Sequence, residues 1–118
     1  MTDTQRDIWE TYVKSWKVTS GGEKKALFAE AIAEDCVYTD PLVVASGWDE
    51  LATYMKQFHE QVPGGHFVTQ HFHAHHGECI ARWKMMSGDG EELGDGISHG
   101  RFGDDGKLTA MTGFFETP

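Results

Sequence analysis

The side chains able to do acid–base chemistry gather in two places. The first is Val37-Tyr38-Thr39-Asp40-Pro41, where a carboxylate stands directly before a proline. A residue before proline is held in extended backbone, so the orientation of Asp40 is restricted. Val37, Leu42, Val43 and Val44 flank it with apolar groups, and a desolvated carboxyl is the stronger base once it ionises. A positioned base of this kind supplies about 10²–10⁴-fold in rate. Asp-Pro also starts ordinary turns, and both readings stand. The second place is Gln70–His76, QHFHAHH. With His66 it puts five of the seven histidines within eleven residues.

On a strand, alternate residues share a face. His71, His73 and His75 then lie with Phe67 and Thr69, while His66, Val68, Gln70, Phe72, Ala74 and His76 lie on the opposite side. His75 and His76 fall at a turn, which leaves His71 and His73 to face a pocket. There an imidazole can transfer protons or hydrogen-bond a ligand near neutral pH. A pair two residues apart can also chelate zinc. No HExxH motif or cysteine pair completes such a set, although His99 or an aspartate could supply a further ligand, so the expectation is no metal. A solvated hairpin with no role is the third reading.

The elements that must position these groups follow from periodicity. Ile8, Trp9, Tyr12, Val13 and Trp16 recur at helical spacing and predict a helix over about 3–17. TSGG breaks it. Leu27, Phe28, Ala31 and Ile32 mark a second helix over 23–34. The runs CVYT and LVVA read as short strands around Asp40-Pro41. Ser46 or Gly47 then caps a third helix, with Leu51, Tyr54, Met55 and Phe58 as its apolar stripe, and VPGG ends it. From His66 onward the runs HFVTQHFHA, ECIARWKMMS, ELGDGISHGRF and KLTAMTGFFE are separated by HHG, GDGE and GDDG turns. The plan is α+β: three N-terminal helices packed on a strongly curved, mixed but mainly antiparallel sheet, with a cone-shaped pocket between the layers. Trp9, Trp16, Trp48 and Trp83 read as core or pocket wall. The glycines of GDGISHG mark a bulge or room for a ligand beside the backbone.

The 118 residues predict a single domain, 1–118. A net charge of -9, from 19 acids against 10 bases, argues against nucleic acid and anionic membranes, because phosphate recognition needs clustered Lys and Arg. The opening MTDTQRDIWE lacks the apolar stretch of a signal peptide, and the longest apolar run, near PLVVA, is too short to cross a bilayer. Cys36 and Cys79 have no CxxC spacing and read as buried free thiols, pointing to a cytoplasmic protein.

The order of these features resembles the nuclear transport factor 2-like superfamily, and within it SnoaL-like polyketide cyclases and ketosteroid isomerase. The match runs from about Tyr12 to Phe115: helix, YTDP, SG opening the third helix, a tryptophan on a strand, and RFGDDGKL near the end. The resemblance implies a conical pocket for a small hydrophobic molecule, a homodimer, and no cofactor. It places Asp40 as general base and Tyr12 as donor to a substrate oxyanion. Ser98 stands where ketosteroid isomerase has a second, protonated aspartate, and a hydroxyl is a weaker donor. Tyr54, Trp83, Met85, Gly113 and Phe115 fall at pocket-lining positions, with His73 a further ligand contact from the histidine run. Thr69–Phe72, TQHF, resembles the segment that carries a catalytic histidine in scytalone dehydratase, which implies that His71 faces the pocket. The expected activity is an isomerase, cyclase or dehydratase acting on a hydrophobic carbonyl compound. The alternative is a non-catalytic binding module, and convergence of Asp40, Tyr12 and His71 on one point would separate the two. Val68, Phe72, Ile80 and Phe114 are expected on the outer sheet face, where a second copy would dock.

Overall fold

The computed structural model describes residues 2–117. Its elements are α1 (Thr2–Ser15), α2 (Gly21–Ala31), β1 (Ile32–Asp40), β2 (Val43–Ser46), α3 (Gly47–Gln61), β3 (His66–His75), β4 (Glu78–Met86), β5 (Glu92–Phe102) and β6 (Leu108–Phe114). The strands form one six-stranded sheet in the order β2-β1-β6-β5-β4-β3. Every pairing is antiparallel except β1 with β6. The three helices pack on one face of this open sheet, as the sequence pattern predicts. Residues 1 and 118, the ends of the expected domain, lie outside the described residues.

Local chemistry accounts for the helix ends. The Ser20 hydroxyl accepts from the Glu23 amide and starts α2. At α3 the Ser46 side chain makes no cap bond; instead the Glu50 carboxylate, four residues on, accepts from the Ser46 amide at 2.8 Å and satisfies a donor at the helix start. Helix α2 stops at Ala31, three residues before its expected end. Ile32, read as part of that helix's stripe, is the first residue of β1 and pairs with Leu108. Parallel pairing in the sheet outweighs helical periodicity here, because a β-branched residue loses little by extending.

The largest departure is in β3. Thr69 stands opposite Trp83 and His71 opposite Arg82, so Gln70 has no partner. This bulge inserts one residue, and one residue is enough to exchange the faces of everything after it. Phe67 and Thr69 face the helices, the Thr69 hydroxyl reaching Glu10 of α1 at 2.7 Å. Beyond the bulge Phe72 turns inward and is buried, against the expectation that it lies on the outer face. His71 and His73 turn outward and are exposed.

The core joins α1 and α3 to the concave sheet face through Trp9, Phe28, Leu51, Met55, Leu108 and Met111, all at most 2% exposed. Trp48 packs on Phe28 and donates to the Ala33 carbonyl at 3.0 Å, a core role. One cation is buried with them. The Lys24 ammonium donates to the carbonyls of Ser15 (2.6 Å) and Val18 (2.9 Å), closing the C-terminal end of α1. Burial lowers its pKa from 10.5 to about 8. Between those values the unfolded chain binds the extra proton, so stability rises with pH. The buried thiols act in the opposite sense: Cys36 is raised from 9.0 to about 11 and Cys79 to about 12, so above pH 9 the folded chain keeps protons that the unfolded chain releases. Urea unfolding across the alkaline range is therefore expected to show a stability maximum near about pH 9. Lys24→Met should remove the rising limb and leave the falling one.

Candidate active site

Asp40 ends β1 and is 9% exposed. Both of its oxygens are occupied. Oδ1 accepts the amides of Leu42 (2.8 Å) and Val43 (3.1 Å), fixing the turn that leads into β2. Oδ2 accepts the hydroxyls of Tyr38 (2.7 Å) and Tyr54 (2.8 Å). The apolar surround expected from sequence is absent on one side: Val37, Leu42 and Val44 are exposed. The groups that shield Asp40 are tyrosines, and Tyr38 went unnoticed in the sequence. Its signal was present, because Tyr38 lies two residues before Asp40 and strand alternation puts both on one face.

These groups sit in a cavity of about 220 Å³ between the helices and the concave sheet face. Trp9, Tyr12, Val13 and Trp16 of the α1 segment line it, with Tyr54 and Phe58 of α3. Phe67, Trp83, Met85 and Ser98 line it from the sheet, and Leu93, Gly94, Asp95, Phe115 and Glu116 complete the wall. Nine of the wall residues are aromatic and none is Lys, Arg or His. Trp16 is the hub: its ring lies 5.4–6.0 Å from those of Tyr38, Tyr54, Phe58 and Phe67. Phe58 follows Tyr54 by one helical turn, so its inward position was legible; Trp16 was read only as core or wall.

Of the expected site residues, Asp40, Tyr12, Ser98, Tyr54, Trp83, Met85 and Phe115 meet at this cavity. Gly113 lies beneath its polar end. A Cβ built on Gly113 would come within 3.5 Å of the Tyr38 hydroxyl, 3.6 Å of Ser98 Oγ and 3.7 Å of Asp40 Cβ, so the Tyr38 and Ser98 hydroxyls both lie beside this glycine and above the root of the Asp40 side chain. The glycine leaves the space beside them open. Gly96 has a different use: a Cβ there would strike the Trp83 ring at 2.4 Å, so its bare backbone makes room for a wall residue rather than for a ligand.

His71 and His73 are absent from the cavity, and the expectation that His71 faces Asp40 is corrected. The Gln70 bulge sends both histidines to the convex face. There His73, Ile80 and His99 lie side by side across β3, β4 and β5, and His71 lies beside Arg82. His75 and His76 are exposed at the hairpin turn. Among the described residues no group of three or more His, Cys, Asp or Glu is placed to hold a metal ion.

The cavity is rich in hydrogen-bond donors. Burial, the leading cause in each case, pushes the phenols of Tyr12, Tyr38 and Tyr54 above their usual range, and the Asp40 charge adds to all three. They therefore stay protonated as donors. Ser98 Oγ accepts the Trp83 indole N–H at 2.9 Å, which leaves the serine proton for another acceptor.

Helices covering one face of a curved sheet, with an aromatic cavity between the layers around a buried carboxylate, make the cone-shaped architecture of nuclear transport factor 2-like folds. A family model for the SnoaL-like domain matches residues 14–111, and the chain belongs to that family. Among solved structures it is similar to a proposed isomerase of the SnoaL-like family from Agrobacterium tumefaciens, with a TM-score of 0.88 at 23% identity over 98% of this chain and 99% of that one. It is also similar to a proposed SnoaL-like polyketide cyclase from Jannaschia, with a TM-score of 0.76 at 10% identity over 96% and 85% of the two chains. A de novo designed protein with a curved β-sheet scores 0.75 at 9% identity over 98% and 88%. At such identities the likeness speaks for the fold alone. Comparison with curated proteins gives no match.

Proposed function

We propose that this chain, acting as one domain over 1–118, is a cofactor-independent isomerase, cyclase or dehydratase that does acid–base chemistry on a small hydrophobic carbonyl compound. The observation that carries the reading is the buried Asp40 carboxylate, held by the Tyr38 and Tyr54 hydroxyls in a largely aromatic cavity that Tyr12 and Ser98 also line. Asp40 is the general base that takes a proton from the carbon next to the carbonyl. Ser98 and Tyr12 are candidate donors to the oxygen on which charge develops; removing one such donor typically costs about 10²–10³ in turnover. Ser98 suits the task because Trp83 occupies its lone pair and leaves its proton free.

Size and charge narrow the substrate. An apolar cavity of ~150 Å³ takes benzene, so about 220 Å³ suits a compound of one or two rings. An anion would meet Asp40 with no basic side chain in the wall to compensate. At the buried end a cation would compete with the four donors that already fill the Asp40 oxygens, while Asp95 and Glu116 lie at exposed parts of the wall. The part of the substrate that reaches Asp40 is therefore uncharged. The test is deuterium exchange at C2 of α-tetralone, a neutral bicyclic ketone, in heavy water: saturable exchange above the buffer rate supports the reading.

One observation favours a second reading, a non-catalytic binding module. A carboxylate whose oxygens are all occupied is well suited to anchoring β1, β2 and α3 and need never move a proton. Binding of α-tetralone without exchange would select it.

No helix among the described residues is long and apolar enough to cross a membrane. The two free thiols support a reducing, cytoplasmic setting. The convex sheet face supports a homodimer, since Val68, Ile80 and Phe114 stand 41–59% exposed on it and a second copy would cover them. Sedimentation at micromolar concentration is expected to give twice the monomer mass; a monomer there would discard the dimer.

A further inference from the structure

The two tyrosines on Asp40 raise a chemical difficulty. A base must offer a lone pair, yet Oδ2 accepts two phenol protons and Oδ1 two amide protons, which exhausts the acceptor sites of a carboxylate. The amides of Leu42 and Val43 belong to the turn and cannot leave without unfolding it. A phenol can leave by rotating one O–H bond.

We propose that Tyr54 is a catalytic residue that masks Asp40 in the free protein and hands its hydrogen bond to the substrate oxygen on binding, so that the base is exposed only when a carbonyl is present. This rests on the proposed acid–base function and adds to it the residue that couples binding to chemistry.

Tyr54 suits the role better than Tyr38. Tyr38 is 7% exposed, two residues from Asp40 on the same strand, and packed under Trp16 at 5.5 Å. Tyr54 comes from α3, is half-buried, and lines the cavity with its hydroxyl still 2.8 Å from Oδ2. When a ketone enters, its oxygen offers Tyr54 a new acceptor. The phenol proton turns to it, and one lone pair of Oδ2 becomes free. Oδ2 then takes the proton from the carbon next to the carbonyl. The electrons of that C–H bond form the carbon–carbon double bond, and the carbonyl π pair moves onto oxygen, where the Tyr54 O–H holds the enolate. Return of a proton from Asp40 to carbon reverses each change, and once the Asp40 O–H has exchanged with heavy water the returned proton is a deuteron. Tyr38 keeps its bond to Oδ2 throughout and holds the carboxylate in place.

Two measurements test the hand-off with α-tetralone. In Tyr54→Phe, exchange is expected to fall about 10²–10³-fold, the usual loss for an oxyanion donor. Tyr38→Phe should lose less than about tenfold, the worth of one positioning hydrogen bond. If Tyr54 merely obstructs or orients the base, Tyr54→Phe will leave exchange unchanged or faster, and the proposal is wrong. The second measurement is the infrared carbonyl stretch of bound tetralone, read first in the wild-type protein. It should lie below its value in an apolar solvent, and Tyr54→Phe should move it back toward that value. A carbonyl stretch that binding does not lower overturns the hand-off. Exchange that depends on Asp40 but not on Tyr54 also overturns it, while sparing the acid–base function. A Tyr54-dependent carbonyl shift without exchange overturns Tyr54 as a catalytic residue and selects the binding module.

Discussion

Asp40→Asn is expected to lower the exchange of bound α-tetralone by about 10²–10⁴-fold, the range for a positioned base, while shifting the melting temperature by less than about 3 °C. The separation follows from how the two oxygens are used. The amide oxygen of asparagine can still accept the Leu42 and Val43 amides that close the turn. Its amino group faces the phenol oxygens of Tyr38 and Tyr54, which have lone pairs to accept from it once their protons turn away. Hydrogen bonding is preserved and basicity is lost. Asp40→Ala is the contrasting case. It removes the acceptor of two amides and two phenols, a loss that water entering beside the part-buried turn replaces only in part, and should lower the melting temperature by several degrees. Exchange that survives Asp40→Asn would leave the binding-module reading in possession of the site. A large loss of stability in Asp40→Asn would mean that the carboxylate charge itself holds β1 to α3.

The largest stability change is expected at Trp16. It is 6% exposed, and its ring touches those of Tyr38, Tyr54, Phe58 and Phe67. Its carbonyl also takes the His59 imidazole, tying the end of α1 to α3. Removing a buried tryptophan side chain typically costs about 3–5 kcal/mol. At roughly 4 °C per kcal/mol for a domain near this size, Trp16→Ala should melt about 12–20 °C lower by calorimetry. The effect on the site should be as large, because Tyr38 and Tyr54 lose the ring against which both are braced. A fall of only a few degrees would show that the cavity wall is free to collapse inward and that Trp16 is not its keystone.

Much of this was legible in the residues. Helical spacing in Ile8–Trp16 and Leu51–Phe58, followed by strand-length runs cut by glycine turns, defines helices laid on a meander. Periodicity is a local property, and it survives folding wherever one face of an element is buried. Asp40-Pro41 likewise announced a fixed carboxylate at a strand end, and YTD carried Tyr38 on the same face for anyone applying alternation.

The histidines show where local reading ends. QHFHAHH does alternate, but the Gln70 bulge breaks the alternation, and nothing in the residues themselves marks Gln70 as the unpaired one. Whether a strand accommodates an extra residue depends on the partner it must follow. Here β3 must curve along β4 with Phe67 and Phe72 both turned under the helices, and only a bulge between them allows that. A single unpaired residue moves His71 and His73 from the cavity to the convex face. The same holds for Asp40. Its identity and restraint came from sequence, but its partners came from three directions: a neighbour on its own strand, the turn that follows, and a helix fourteen residues on. That a second phenol, Tyr54, also covers Asp40 is a fact of tertiary structure alone, because it depends on how α3 lies over the end of β1.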